Sequence, residues 1–345
     1  MMERGCRILI AGGGIAGLCL AHTLLQAGFR PEVFEQDLEP RTEGGLGIYR
    51  NALLVLEHLG LLDDARRRGN EVLRTRVRDP SGRLVLETDS PKVVILRKDL
   101  HEVLSQSLPP GLVHAGERLK DFEERGEGIR VHFESGRAED ADLLVGADGF
   151  RSRVCSRLFG PQPVRYANFI YRGLAPRPVG TDLCTMEVVM GRGSKYHQIC
   201  LSETEIGWSI TTNEPERREP LPVEQIRERL LRSVTGWDGL AGKLIGQTAS
   251  DHLLQHPVYL RRPLAGWSRG HVVLLGDAAH PQHPALGQGA CMAMESAAVL
   301  GACLAAAPDM DQALRDYQRI RKARIDLVLT QSTRMAHLGQ WEHPL

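Results

Sequence analysis

Cys6-Arg7-Ile8-Leu9-Ile10-Ala11-Gly12-Gly13-Gly14-Ile15-Ala16-Gly17 is the stretch that decides how this chain folds. Residues 8–11 have the unbroken apolar texture of a strand buried on both faces. Three glycines interrupt it, and residues 15–27 then read as a helix followed by Gly28. Residues 31–35 read as a second strand, so the order is strand, glycine turn, helix, strand: a βαβ unit with the right-handed crossover that parallel strands require. Gly12, Gly14 and Gly17 form a G-x-G-x-x-G pattern within it. A pyrophosphate needs backbone N–H donors at close range, where a Cβ would obstruct it, and the helix N-terminus adds partial positive charge. Glu35 closes the second strand, where a carboxylate can accept both hydroxyl protons of an adenosine ribose. The glycines alone are a weak signal. With strand, helix and acid all in place they predict dinucleotide binding, whereas a ligand-free glycine turn leaves Glu35 as a coincidence.

The rest of the chain is compatible with such a domain. Its 345 residues suit two domains or one large α/β domain. The 43 basic and 43 acidic side chains cancel, so no global charge argues for nucleic acid or an anionic membrane surface. A hydrophobic share of 42% with 25% charged residues excludes wholesale disorder. The 7 cysteines are scattered without a C-x-x-C pair, which predicts reduced thiols in a cytoplasmic protein and no metal site. Residues 8–29 are uncharged and follow Arg4 and Arg7, a superficial likeness to a signal peptide or membrane span. The glycines within them and the charged strand beyond point instead to a soluble unit with no integral membrane segment.

Farther along, residues 51–61 read as a helix, and 72–86 as a hairpin around Pro80-Ser81-Gly82. Residues 97–108 form another helix closed by Pro109-Pro110-Gly111, and 129–133 and 143–145 are strands. Between about residues 165 and 261 the texture changes. Short β-like runs at 169–174, 186–190, 196–201 and 207–212 alternate with turns, and one helix lies near 223–234. That pattern predicts a mostly antiparallel sheet inserted into the α/β domain. Residues 271–275 return to buried-strand texture, followed by helices at 289–306 and 311–338.

Two further motifs stand at strand ends. Leu143-Leu144-Val145-Gly146-Ala147-Asp148-Gly149 delivers a carboxylate and a flexible backbone to the edge where α/β sheets bind ligands, although taken alone it reads first as a turn with Asp in its usual role. Val273-Leu274-Leu275-Gly276-Asp277-Ala278-Ala279-His280-Pro281 does the same, and Gly287-Gln288-Gly289 then opens a helix. A helix start suits a ligand that becomes anionic, as a reduced flavin does along its N1–C2=O edge.

Taken in order, the GGGIAG loop with Glu35, Arg97 in ILRKDL, GADGFRS, and GDAAHPQHPALGQG resemble the single-component (class A) FAD-dependent monooxygenases, the family of para-hydroxybenzoate and salicylate hydroxylases. The resemblance covers nearly the whole chain. It implies a Rossmann-like FAD-binding domain of the glutathione-reductase type with an inserted, mostly antiparallel substrate domain. The expected division is 1–73, 96–164 and 262–345 for FAD, and 74–95 with 165–261 for substrate. It also implies that Gly12, Gly14 and Gly17, with Ile15 and Ala16 at the helix start, approach the pyrophosphate, and Glu35 the adenosine ribose. Arg97 would contact the phosphate or ribitol region, Asp148 with Gly149 would serve FAD and the passing NADPH or NADH, and Asp277 would bind the ribitol or pyrophosphate end. Pro284, Gly287, Gln288, Gly289 and Ala290 would run beside the isoalloxazine. After Gly276-Asp277 there is room for closing helices and for no thioredoxin-like extension of the kind some larger relatives carry. Departures are Cys155 where the Asp-Gly block commonly ends in Arg, and Cys291 and Ser296 where Asn and Asp are usual.

The chemistry so implied is reduction of FAD by NAD(P)H, formation of a C4a-hydroperoxide with O2, and transfer of one oxygen atom to a small aromatic or unsaturated substrate by hydroxylation or epoxidation. A monomer or homodimer is expected. The alternatives are an FAD dehydrogenase that does not use O2 and a non-catalytic FAD-binding protein. Among candidate catalytic side chains, His283 lies in the loop expected beside the flavin, with a backbone-bonded loop histidine as the alternative. Tyr196 and His197 share a strand of the substrate sheet, so alternation turns one of them to the pocket. Arg172 could steer an acidic substrate or be an exposed sheet charge, and His280 is expected to be structural.

Overall fold

The computed structural model describes residues 5–39, 44–126, 128–217, 219, 221–339 and 341. The quoted opening folds as read: β1 (Ile8–Ala11), buried throughout, leads through the glycines into α1 (Ile15–Gln26) and β2 (Glu32–Glu35). There follow β3 (Gly45–Tyr49), α2 (Arg50–His58), α3 (Leu62–Arg68), and the long hairpin of β4 (Asn70–Arg78) and β5 (Leu84–Leu96). Helix α4 (Arg97–Gln106), β6 (Val113–Ala115), β7 (Leu119–Arg125), β8 (Gly128–Phe133), β9 (Ala138–Ala141), β10 (Leu143–Gly146) and α5 (Arg153–Phe159) return the chain to the first layer. The inserted region holds β11 (Val164–Pro176), β12 (Thr185–Gly191), β13 (Ser194–Cys200), β14 (Glu205–Thr212), α6 (Val223–Ser233), α7 (Ala241–Gln247) and β15 (Leu254–Arg261). Strands β16 (Ser268–Arg269) and β17 (Val272–Leu274) and helices α8 (Gly289–Ala306) and α9 (Met310–Gly339) close the fold.

Among the described residues three sheets result. A six-stranded sheet runs β16-β17-β10-β1-β2-β6, and β17, β10, β1, β2 and β6 pair in parallel. Strand β1 is therefore central, flanked by the two strands that carry Glu35 and, at the end of β10, Asp148. An eight-stranded sheet runs β15-β11-β14-β13-β12-β4-β5-β3, antiparallel except for β12 beside β4. It draws on more than the inserted region, because β3 and all of β4 belong to it. The third sheet, β7-β8-β9, was not legible as a unit. A register shift between Leu119 and Asp121 puts its buried Leu119 and Phe122 three residues apart, which breaks the period of two.

Helices α3 and α7 were also missed. Helix α3 buries only Ala65, so it shows no apolar stripe, and seven-residue α7 is too short to display a period. Helix α8 is long and apolar enough to cross a membrane, but it packs between α1 and α9 with its core-facing residues buried. Two main hydrophobic cores follow this layout, beside a small cluster of Val72, Val94 and Leu201. The larger surrounds the six-stranded sheet, and a second, including Tyr171, Tyr196, Trp208 and Leu230, lies between the eight-stranded sheet and α6 with α7.

Candidate active site

One continuous cleft of about 2020 Å³ joins the glycine loop to the open face of the eight-stranded sheet. That is roughly twice the upper end of an ordinary single-ligand pocket, so it has room for a dinucleotide and a second molecule. At its first end the three glycines divide their labour. Gly12 has φ +114, and a Cβ there would stand 2.4 Å from the Ala147 carbonyl oxygen. A Cβ at Gly17 would come within 2.0 Å of the Gly12 oxygen, so Gly17 serves helix-to-strand packing and does not itself line the cleft. Gly14, the N-cap of α1, meets nothing within 4 Å. Its missing Cβ leaves open the space in front of the helix N-terminus that a pyrophosphate needs. Ile15 and Ala16 line the cleft at the same place.

Glu35 also lines the cleft, its carboxylate accepting from the Gly13 amide at 2.6 Å and the Asp37 amide at 2.9 Å. Asp148 accepts from the amides of Arg153 (2.7 Å) and Val154 (3.2 Å), which secures the first turn of α5. Its second oxygen is buried without a partner among the described residues, and burial raises its pKa. Arg97, at the start of α4, and Asp277 line the cleft's middle. Asp277 is open to the cleft; the protein around it raises its pKa, against the opposing pull of the Arg97 and Arg261 guanidiniums. A Cβ-free cradle, a helix start, a ribose-height carboxylate and an orphaned carboxylate oxygen together fit FAD.

The residues 5–332 match the family model described as "FAD binding domain". Aurachin C monooxygenase/isomerase of Stigmatella aurantiaca is 32% identical over 99% of this chain and 92% of that protein. Chloroplastic zeaxanthin epoxidase of Solanum lycopersicum is also 32% identical over 99% of this chain, which spans 57% of that longer protein. The structure of Klebsiella pneumoniae HpxO complexed with FAD and uric acid superposes with a TM-score of 0.91 at 26% identity, covering 97% of this chain and 89% of that one. This chain belongs to the FAD-dependent monooxygenases.

In this monooxygenase the loop after Gly276-Asp277 lines the cleft and meets the sheet where Lys195 donates to the Ala285 carbonyl. A single helical turn, Pro284–Leu286, is capped by the His283 side chain, and Gly287 adopts φ +64 before α8 begins. Pro284, Gly287, Gly289 and Ala290 line the cleft. Gln288 does not; it faces Asn51, whose amide donates to it at 3.4 Å. His283 is nearly buried with both ring nitrogens engaged: Nδ1 accepts from the Ala285 amide at 3.1 Å, so Nε2 carries the proton and donates to Asn168 Oδ1 at 3.1 Å. Burial, with the nearby Lys195 charge, pushes its pKa down to about 4. This is a neutral side chain that shapes the loop, with no nitrogen left to accept a proton.

Alternation along β13 separates the other two candidates. Tyr196 points away from the cleft, stacks on Trp208 at 6.4 Å between ring centroids, and donates to Gln198 at 3.1 Å within the second core. His197 faces the cleft opposite Ser209, whose hydroxyl lies 3.5 Å from Nδ1. Its Nε2 is buried without a partner among the described residues, and burial plus the Lys195 charge hold its pKa well below the usual range. Lys195 was not singled out in the sequence, although it sits two residues before His197 and therefore on the same face. It is buried, donates to the Ala285 carbonyl at 3.3 Å, and has its pKa pushed down to about 8 by burial.

The three departures from family pattern are each absorbed locally. The Arg261 guanidinium lies 3.3 Å from Cys155 Sγ and donates to the Ala278 carbonyl at 2.6 Å, so β15 brings a guanidinium to the place where position 155 lacks one. Cys291 Sγ donates to the Gly47 carbonyl at 3.4 Å, tying α8 to β3. Ser296 bridges His280 Nε2 (3.2 Å) and Arg321 Nε (3.1 Å), while its neighbour Glu295 supplies the carboxylate that pairs with Arg321. His280, tilted against Trp267 at 5.4 Å, is held neutral by burial, its pKa about 3.

Proposed function

We propose that this monooxygenase holds FAD along the first half of the cleft and hydroxylates or epoxidises an aromatic or unsaturated substrate against the sheet. The observation that carries the reading is continuity: one cleft runs from the Gly14 cradle, past Asp277 and the Pro284–Leu286 turn, to His197 and Lys195. On this reading the α1 start and Gly14 receive the pyrophosphate, Glu35 the adenosine ribose, and Arg97 with Asp277 the phosphate and ribitol stretch. Pro284, Gly287, Gly289 and Ala290 flank the ring system, and the α8 N-terminus offers its partial positive charge to a reduced, anionic ring. Asp148 and Gly149 contribute to the cofactor side and to the approach of NADPH or NADH.

Bound FAD supplies hydride acceptance and oxygen activation; the chain supplies position, electrostatics and exclusion of water. Lys195 places a cation where a substrate oxygen gains negative charge on oxygenation. His197, neutral, offers Nε2 as a hydrogen-bonding contact that fixes the substrate's orientation. The chain divides into an FAD-holding part around the six-stranded sheet and a substrate-holding part around the eight-stranded one. The balanced charge and scattered thiols favour a cytoplasmic location, and a monomer or homodimer is proposed with it.

The test is anaerobic reduction of the FAD-loaded enzyme by NADPH or NADH, followed by turnover under ¹⁸O2. Incorporation of one labelled oxygen atom into product supports the reading. Reduction with no labelled product for any aromatic or alkene tested points to a dehydrogenase, and no reduction at all points to a binding protein.

A further inference from the structure

The registers of the eight-stranded sheet line up its cleft-facing residues in rows that cross the strands. One row reads Arg172 on β11, Ser209 on β14, His197 on β13, Val188 on β12, Val77 on β4 and Leu86 on β5. All six line the cleft. The first three are polar and the last three apolar, so the row changes character between β13 and β12. The neighbouring row repeats the change, from Thr211 and Lys195 to Met190. On the opposite face of the apolar strands the residues are charged and paired, with Arg76 to Glu87 at 2.6 Å and Arg78 to Glu187 at 3.0 Å. The apolar stripe is therefore a property of the cleft face alone.

Among the described residues the stripe is buried at Val188, 4% exposed, and opens toward β5. Val77 is half-buried, and Leu86 is 54% exposed at a hairpin end where Leu84 and Val85 are 48% and 55% exposed. Lys92 also borders this region, but its ammonium is already satisfied by Thr75 Oγ1 (3.3 Å), Ser90 O (2.9 Å) and Ser90 Oγ (3.0 Å), so it calls for no anion. The polar end, by contrast, adjoins the Pro284–Leu286 turn through the Lys195 bond to Ala285, and it presents the unpartnered Nε2 of His197.

We propose that the substrate is amphipathic: an aromatic head bearing an acidic or hydrogen-bond-accepting oxygen sits at Lys195 and His197, and a hydrocarbon substituent lies across β12, β4 and β5 toward Leu86. Three strand spacings separate His197 from Leu86, about 14 Å, enough for a chain of about ten carbons. Apolar contact along that path strengthens binding, because each methylene removed from water onto Val188, Val77 or the thioether of Met190 contributes separately. The proposal rests on the monooxygenase reading above only for the place of the head beside the flavin.

The test uses oxidised, FAD-loaded enzyme and the perturbation of bound-flavin absorbance as the readout, with resorcinol and its ring-alkylated butyl, octyl and dodecyl derivatives as probes below their micelle concentrations. The expected result is a dissociation constant that falls with chain length, by up to about fourfold per methylene. Val77→Asn removes most of the gain from butyl to octyl, Leu86→Gln most of the gain from octyl to dodecyl, and Lys195→Met weakens every member by a similar factor. A constant that is flat or rises with chain length overturns the proposal. So does a gain that neither Val77→Asn nor Leu86→Gln alters, or a failure of every probe to perturb the flavin. These measurements involve no turnover, so the labelled-oxygen experiment fails or succeeds independently of them.

Discussion

Gly14 and its neighbours show what a single missing Cβ decides. Gly12 and Gly17 abut backbone oxygens, whereas Gly14 faces open space in an ordinary extended conformation, φ −76 and ψ −176. Gly14→Val is therefore expected to leave the thermal stability of the apoprotein nearly unchanged while lowering FAD affinity by two orders of magnitude or more, roughly 3 kcal/mol. Gly17→Val should instead lower the melting temperature of the apoprotein itself. Thermal melts without cofactor and fluorescence titration with FAD separate the two. The G-x-G-x-x-G spacing made this cradle legible in the sequence, because it is formed by backbone and by what is absent. Lys195 was illegible for the opposite reason. Its role depends on which parity of β13 faces the cleft, and that is set by the second core taking Tyr196. With its pKa near 8, Lys195 is a cation below that pH and neutral above it. Binding of salicylate, an anion throughout, should weaken as pH rises through about 8, and Lys195→Met should remove most of that dependence. His197 and His283 do not contribute, since both are held neutral there. The stability sign is also determined. Between about 8 and the ordinary lysine value the unfolded chain holds a proton that native Lys195 lacks, so stability rises with pH across that window, and the rise is smaller in Lys195→Met. Urea titrations at several pH values measure it.

At the scale of elements, α8 and α9 are joined by a buried charge rather than by apolar packing alone. Arg321 is 1% exposed and reaches Glu295, Ser296 and the Met292 carbonyl on α8. Burial alone would raise the Glu295 pKa, but hydrogen bonds from Arg324 and Asn51 and the Arg321 charge hold it below the ordinary carboxylate value. Arg321→Met removes the most buried partner of Glu295 but leaves Arg324 and Asn51 bonded to it, so it is expected to destabilise the fold by about 1.5–3 kcal/mol. The loss should grow smaller as pH falls and Glu295 protonates, because the lost Arg321–Glu295 attraction then counts for less in the parent protein; chemical denaturation at neutral and acid pH would show it. None of this pairing was visible in sequence, where position 296 read only as a departure from Asp. The helices themselves were visible, since the eighteen residues after Gly287-Gln288 are apolar nearly all round and too many for one buried strand. The mostly antiparallel sheet was visible too, because the short β-like runs of β11 to β14 are separated by turns and β14 keeps a strict alternation. What sequence could not supply was partnership: that β4 joins β12 in parallel, and that β3 reaches the far edge of the same sheet.

For the molecule as a whole, the consequence of one cleft between two sheets is that cofactor binding tightens some parts and leaves others untouched. FAD at a hundred times its dissociation constant stabilises the native state by about 2.7 kcal/mol through mass action. That stabilisation reaches any segment whose opening breaks the site. The segments that touch the cleft come from widely separated parts of the chain: the 12–16 loop, Glu35, the α4 start, and residues 276–290 running into α8. The β7-β8-β9 sheet touches it only through Leu119 and pairs with neither larger sheet. Hydrogen exchange with and without FAD should thus show slowed exchange at 12–16 and at 284–292, where the Pro284–Leu286 turn and the first turn of α8 border the cofactor. Residues 121–125 and 129–133 should exchange at the same rate in both states whenever they open locally. Equal protection across all three sheets would mean that the molecule opens only as one unit. Protection confined to 12–16 and Glu35 would mean that the 284–290 segment is not part of the cofactor site, and the placement of the flavin ring beside His197 and Lys195 would fall with it.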